Sequence, residues 1–143
     1  FSKLDLRHFF MSGTIFEILE LVTKPFKNSA IYPLLHKSLL FLLDNQYVIE
    51  PLGPSSLKVI KGTGMGLPHS SATAELAFLN ASELKLMSDL SLFGISSYYR
   101  FKDDICMVHG SDAPIQQFVE DLSVGHPFKI EIESECADSV SFL

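Results

Sequence analysis

Tyr98-Tyr99-Arg100-Phe101-Lys102-Asp103-Asp104-Ile105-Cys106-Met107-Val108 is the most informative run of the chain. It reads as two short strands joined by a tight turn. The arms are rich in aromatic and β-branched residues, and the turn carries two adjacent carboxylates. Asp-Asp suits such a turn poorly, because the favoured two-residue turns need positive φ, which Asn-Gly or Asp-Gly supplies. Adjacent like charges also repel each other. A divalent cation would offset both costs. Taken alone, the pair more often marks a solvated loop tip, so the surrounding chain has to decide.

At 143 residues the chain fits one domain that can bury a core. Its 47% apolar and 20% charged residues are those of a globular protein. No apolar run is long enough to span a membrane, so no membrane partner is expected. A chain that opens on Phe1 and stops on Ser141-Phe142-Leu143 reads as a piece of a longer polypeptide. The net charge of −6, from 11 Lys plus Arg against 17 Asp plus Glu, counts against nucleic acid as the partner of these residues alone. It counts less if other segments carry a basic grip, or if some of the acids hold metal. Cys106 and Cys136 lack metal-site spacing, and Cys106 in an apolar strand reads as a small core residue. A reducing, intracellular compartment fits that usage.

In chain order, Phe1 to Phe10 opens as an alternating strand, with Leu4 and Leu6 on one face and Asp5 on the other. Ser12 or Thr14 can cap a helix carrying Ile15, Ile18, Leu19 and Val22, which Pro25 ends. A second helix is expected over Ile31 to Asp44, with Leu34, Leu35, Leu39, Leu42 and Leu43 as its apolar stripe and Pro33 in its first turn. Tyr47–Glu50 and Leu57–Ile60 read as a hairpin around the long turn Pro51 to Ser56. Lys61 to Ser70 then holds Gly62, Gly64 and Gly66, which let backbone approach a ligand closely. This loop feeds a helix from Ser70 to Met87, an arrangement able to cradle phosphates or a template backbone. It lacks the Gly-Lys-Ser/Thr ending of a nucleotide-binding P-loop, and such a loop is more often simply flexible. Ala113 to Val124 reads as an amphipathic helix with Ile115, Phe118, Val119 and Leu122 inward, Asp112 as cap and Gly125 as stop. Phe128 to Glu133 is a strand with one charged face, and Val140 to Leu143 begins another.

Strand, helices, hairpin, helix, strand is the layout of an α+β fold, a ferredoxin-like split β-α-β sheet packed on helices. Asp5 and Asp103 can meet at one edge of such a sheet. Two metal-binding carboxylates from separate strands are what metal-assisted phosphoryl transfer needs.

Across residues 1–143 the chain resembles the palm domain of reverse transcriptases, most closely the Penelope-like group. Lys3-Leu4-Asp5-Leu6-Arg7-His8-Phe9-Phe10 is similar to the first palm motif, an aspartate with an aromatic five residues later. Gly62-Thr63-Gly64-Met65-Gly66-Leu67-Pro68-His69-Ser70 is similar to the glycine-rich second motif, with Leu67 where the group often has serine. Tyr99-Arg100-Phe101-Lys102-Asp103-Asp104 resembles the aromatic-x-Asp-Asp motif, and His126 to Glu133 and Val140 to Leu143 resemble the strands that come after it.

The resemblance implies an RNA-directed DNA polymerase working on an RNA template, a DNA primer and dNTP. Fingers and thumb would lie outside these residues, and the fragment alone would be inactive. It implies Asp5, Asp103 and the Leu6 carbonyl as ligands of two Mg²⁺ ions, or Mn²⁺ in their place, with Asp104 in support. It places Phe10 beneath the sugar of the incoming nucleotide and Gly64, Met65, Gly66 and Pro68 beneath the templating base pair. Lys129 is either an exposed strand residue or a proton donor to pyrophosphate. The alternatives are an RNA-templated RNA polymerase palm, against which Phe10 argues, and a non-catalytic domesticated scaffold, against which the intact aspartates argue.

Overall fold

Strand β1 (Ser2–Arg7) buries Ser2, Leu4 and Leu6 and turns Lys3, Asp5 and Arg7 to the other face. An alternation this clean specifies an antiparallel sheet with one packed face and one open face. The computed structural model, which describes residues 1–49, 53, 55–140 and 142, has that sheet. Its four antiparallel strands run in the order β4 (Ile95–Phe101), β5 (Asp104–His109), β1, β6 (Lys129–Ser134). The protein is α+β. It divides into two compact units, Phe1–Phe9 with Ala81–Leu143, and Phe10–Asn80. Among the described residues no helix is long and apolar enough to cross a membrane.

The first unit holds the sheet. Helix α5 (Ile115–Leu122) buries Ile115, Phe118, Val119 and Leu122, the expected inward face. The Phe118 ring meets Phe93 at 5.3 Å and Tyr98 at 6.3 Å, which seats the helix against β4. Asp112 is not its cap. The N-cap position falls on Pro114 and makes no side-chain hydrogen bond. Asp112 lies two residues earlier, too far back to reach the first turn, and its carboxylate accepts from Ser111 Oγ at 3.1 Å.

The β4–β5 turn also differs from expectation. Its two residues are Lys102 and Asp103, while Asp104 opens β5 and pairs with Phe101. Lys102 takes the positive φ, 55°, at the first central position, where glycine is usual. At the other end of the chain, Val140 and Phe142 are in no strand, and Ser141 and Leu143 of the expected last strand lie outside the described residues.

The second unit is helical, with α1 (Ile15–Thr23) touching both α2 (Tyr32–Asp44) and α3 (Ser70–Phe78). Thr14 starts α1 with a reciprocal cap: its hydroxyl accepts from the Glu17 N–H at 3.2 Å, and its own N–H donates to the Glu17 carboxylate at 2.7 Å. In α2 only Leu39 and Leu43 are buried, while Leu34 and Leu42 are exposed. At about 100° per residue, Leu39 and Leu43 sit side by side and Leu34 nearly opposite, so a neighbour on one side cannot cover all five leucines. The hairpin pairs β2 (Tyr47–Ile49) with β3 (Ser56–Lys58), so the return strand starts before Leu57 and ends before Ile60, its expected bounds. Glu50, Pro51, Leu52 and Pro54 of that hairpin lie outside the described residues.

The long helix expected over Ser70 to Met87 is broken. After α3 the chain takes π geometry over Leu79–Glu83 before the short α4 (Leu84–Leu86). A π turn inserts an extra residue and rotates the next side chains about the helix axis. Ala81, Ser82 and Glu83 are consequently buried in succession.

Candidate functional site

In an antiparallel pair, residues directly opposite each other project to the same face. Asp5 lies opposite Asp104 in the β1–β5 ladder, so their carboxylates share the open face of the sheet. One step on, the Leu6 N–H donates to the Asp103 carbonyl at 2.9 Å, which ties β1 to the Lys102–Asp103 turn. The Leu6 carbonyl, on the same side of the strand as its N–H, faces that turn as well. Phe101 and Tyr99, both exposed, continue the open face along β4. The fold thus brings Asp5, Leu6, Asp103 and Asp104 to one place.

Two cations are threaded among these acids. Arg7 Nε is 3.2 Å from Asp5 Oδ2 and 2.7 Å from Glu131 Oε2. Lys3 Nζ is 3.0 Å from Asp104 Oδ1 and 3.0 Å from Glu133 Oε2. Each cation is shared between one aspartate of the site and one glutamate of β6, whose alternation puts Glu131 and Glu133 on the same open face. Burial pushes the Asp5 carboxyl above the usual aspartate range. Arg7 pulls it back, and Glu133, Asp103 and Asp104 push it up again. A raised aspartate is what crowded acids predict, but burial is its leading cause. Hydrogen bonds to Asp104 and Glu133 hold Lys3 above the ordinary lysine value.

Among the described residues no group of three or more Asp, Glu, His or Cys side chains is arranged to hold a metal ion by itself. The donor chemistry still fits Mg²⁺. That ion takes oxygen ligands and is commonly bound through one or two carboxylates plus substrate phosphates and water, with no all-protein cage. Asp5 and Asp103, whose charges interact, would with the Leu6 carbonyl make up such a partial set.

Behind the open face lies a cluster that the motifs gave no hint of. Tyr98 and Arg100 occupy the packed side of β4, where Glu83 is 3% exposed. Arg100 Nε donates to Glu83 Oε1 at 2.7 Å and Arg100 Nη2 to Glu83 Oε2 at 3.0 Å. Tyr98 Oη donates to Glu83 Oε1 at 2.7 Å. Burial, then the charge of Glu83, drives the Tyr98 hydroxyl far above its ordinary value, so it stays a donor. The alternation of β4 signals an inward arginine in need of a carboxylate. Its partner was hidden, because a regular helix over Ser70 to Met87 gives no reason to turn Glu83 inward.

Phe10, Gly64, Met65, Gly66 and Pro68, expected on the substrate side, belong to the Phe10–Asn80 unit. Phe9, in the first unit, is buried with its ring 5.9 Å from Phe128. Phe10 is half-buried in a 3₁₀ turn, and its carbonyl accepts from the Thr63 N–H at 2.8 Å. Phe10 and the glycine-rich loop are therefore together. Gly62 is needed for this contact, since a Cβ there would sit 2.1 Å from the Phe10 carbonyl oxygen. Gly64 is buried, with Gln46 Oε1 2.6 Å from where its Cβ would be. These two glycines serve the approach of the chain to itself, whereas Met65, Gly66 and Pro68 are exposed. Ser70 Oγ donates to the carbonyls of Thr63 and Gly64, which fastens the loop to the start of α3. Lys129 is exposed on β6 opposite Arg7.

Comparison of the chain with protein-family models, curated proteins and solved structures returns no match.

Proposed function

We propose that the chain is the catalytic palm of an RNA-directed DNA polymerase. The observation that carries this reading is the meeting of Asp5 with Asp104 on the open face of a four-stranded sheet, beside a turn that the Leu6 N–H ties down through the Asp103 carbonyl. In the strand order, β5 lies between β1 and β4, and β1 lies between β5 and β6. Each helix-bearing connection therefore returns past an intervening strand, as in a split β-α-β palm.

In this role Asp5 and Asp103, with the Leu6 carbonyl, would hold Mg²⁺. Two such ions would supply a primer 3′-hydroxyl of lowered pKa and charge stabilisation for the leaving pyrophosphate. Asp104, fixed in the ladder and paired with Lys3, keeps the turn beside Asp5. Arg7 and Lys3 neutralise the acids, while Glu131 and Glu133 offer those cations a second partner. Positioning and charge are most of what such a reaction asks of a protein.

The test has two parts. Mn²⁺ titrated into the chain should broaden the resonances of Asp5, Leu6 and Asp103 first, and Asp103→Asn should remove the effect. A polypeptide carrying this chain with fingers and thumb should extend a DNA primer on RNA with dNTP and Mg²⁺, and lose that activity with Asp103→Asn. Extension with ribonucleotides only would favour an RNA polymerase palm. Absence of both Mn²⁺ binding and extension would leave a scaffold and sink the reading.

A further inference from the structure

We propose that Arg100, clamped by Glu83 and Tyr98, is the positioning residue that holds the Lys102–Asp103 turn in shape. This inference rests on the polymerase reading for its consequence, and on geometry alone for its substance. Arg100 spends its guanidinium in two directions. Two nitrogens take both oxygens of the buried Glu83 carboxylate, and the third, Nη1, donates to the Lys102 carbonyl at 3.0 Å. Such a planar fork offers donors on fixed bearings, which lysine cannot imitate.

The turn needs the help. Its first central residue is Lys102 at φ 55°, a left-handed conformation that a side chain disfavours and that persists where the surroundings enforce it. The enforcing bond ends on that residue. Glu83 in turn is fixed by the Tyr98 hydroxyl and by its place in the π turn. The chain of support runs from the π turn through Glu83 and Arg100 to the Lys102 carbonyl, one peptide from Asp103.

Two variants of the full chain test this. Arg100→Lys keeps a cation for Glu83 but has no fork to reach Lys102. Glu83→Gln combined with Arg100→Gln removes both charges, so no lone buried charge is left to unfold the protein. Both should melt cooperatively. In both, the backbone amide resonances of Lys102 and Asp103 should move while those of β6 stay. Affinity for Mn²⁺ should fall by about 10- to 100-fold, the loss typical when a group supporting a metal ligand is removed. Unchanged Lys102 and Asp103 amides in either folded variant would overturn the proposal. If the wild-type chain binds no Mn²⁺, the metal reading fails, and the amide shifts still decide the role of Arg100.

Discussion

Asp5 combines partial burial with acidic neighbours, and that combination has a thermodynamic sign. Its carboxyl is raised, so the folded chain keeps the proton to higher pH than the unfolded chain does. From about pH 4, the ordinary aspartate value, up to the raised value, the folded state binds more protons, and stability falls as pH rises through that window. Asp5→Asn should therefore melt above wild type at neutral pH, and the gap should close as the pH drops to about 4. Glu131, 2.7 Å from Arg7 Nε in the wild-type chain, remains as a partner for Arg7 in that variant. Equal melting temperatures at neutral pH would mean that Arg7 fully compensates the buried charge. Phe9 makes a second case: Phe9→Ala should cost about 3–5 kcal/mol in chemical denaturation, because its ring fills buried space against Phe128. At this scale the sequence was informative about faces. Alternation placed Asp5 opposite Leu4 and Leu6, and the apolar run around Cys106 marked it as buried. It was silent on partners, since Arg7 and Lys3 are shared with a strand more than a hundred residues away.

At the scale of elements, the glycine-rich loop separates two effects that its sequence blends. Gly62 and Gly66 both have positive φ, 71° and 87°, but only Gly62 is backed by other backbone. Gly66→Ala should cost about 1–3 kcal/mol for the strained conformation. Gly62→Ala should cost clearly more, since its Cβ would collide with the Phe10 carbonyl and the Met11 Cα as well. Urea denaturation of the two variants checks the order, and equal losses would show that the loop can move away from Phe10. Elements with a strong local signal were readable, among them α1 with its cap and α5 with its inward face. The π turn was not. Leu79 to Glu83 has ordinary helix-forming residues, and an inserted residue leaves composition untouched. The α2 stripe misled for a different reason: burial depends on how many neighbours a helix has, which its own periodicity does not record.

For the whole molecule, the metal reading has a consequence that needs no substrate. An ion that binds only the folded chain stabilises it by mass action, about 2.7 kcal/mol at a concentration a hundred times its dissociation constant. Mn²⁺ or Mg²⁺ should therefore raise the melting temperature of the chain, while Asp103→Asn should melt the same with and without the ion. A mutant that still responds would place the ion elsewhere. The order of elements along the chain was legible, and with it the α+β sheet. The partition into two compact units was not, because its boundaries fall after Phe9 and after Asn80. The first lies inside a 3₁₀ turn and the second inside the π turn, with no Pro-, Gly- or Ser-rich linker at either.

The unit that carries the sheet is assembled from two distant stretches, Phe1–Phe9 and Ala81–Leu143. Both strands that flank β1 come from the second stretch. On a ribosome, β1 emerges long before either of them. At about 5–20 residues per second, it waits roughly 5–20 s for β5 to be made. All that time Leu4 and Leu6 have no sheet to enter, while the intervening Phe10–Asn80 stretch has all of its own sequence before β5 is made. The late partners, β5 and β6, then close on β1 from both sides. A nascent chain halted before Asp104 would thus present β1 as an open strand edge, the form of this protein most prone to pair with a stranger.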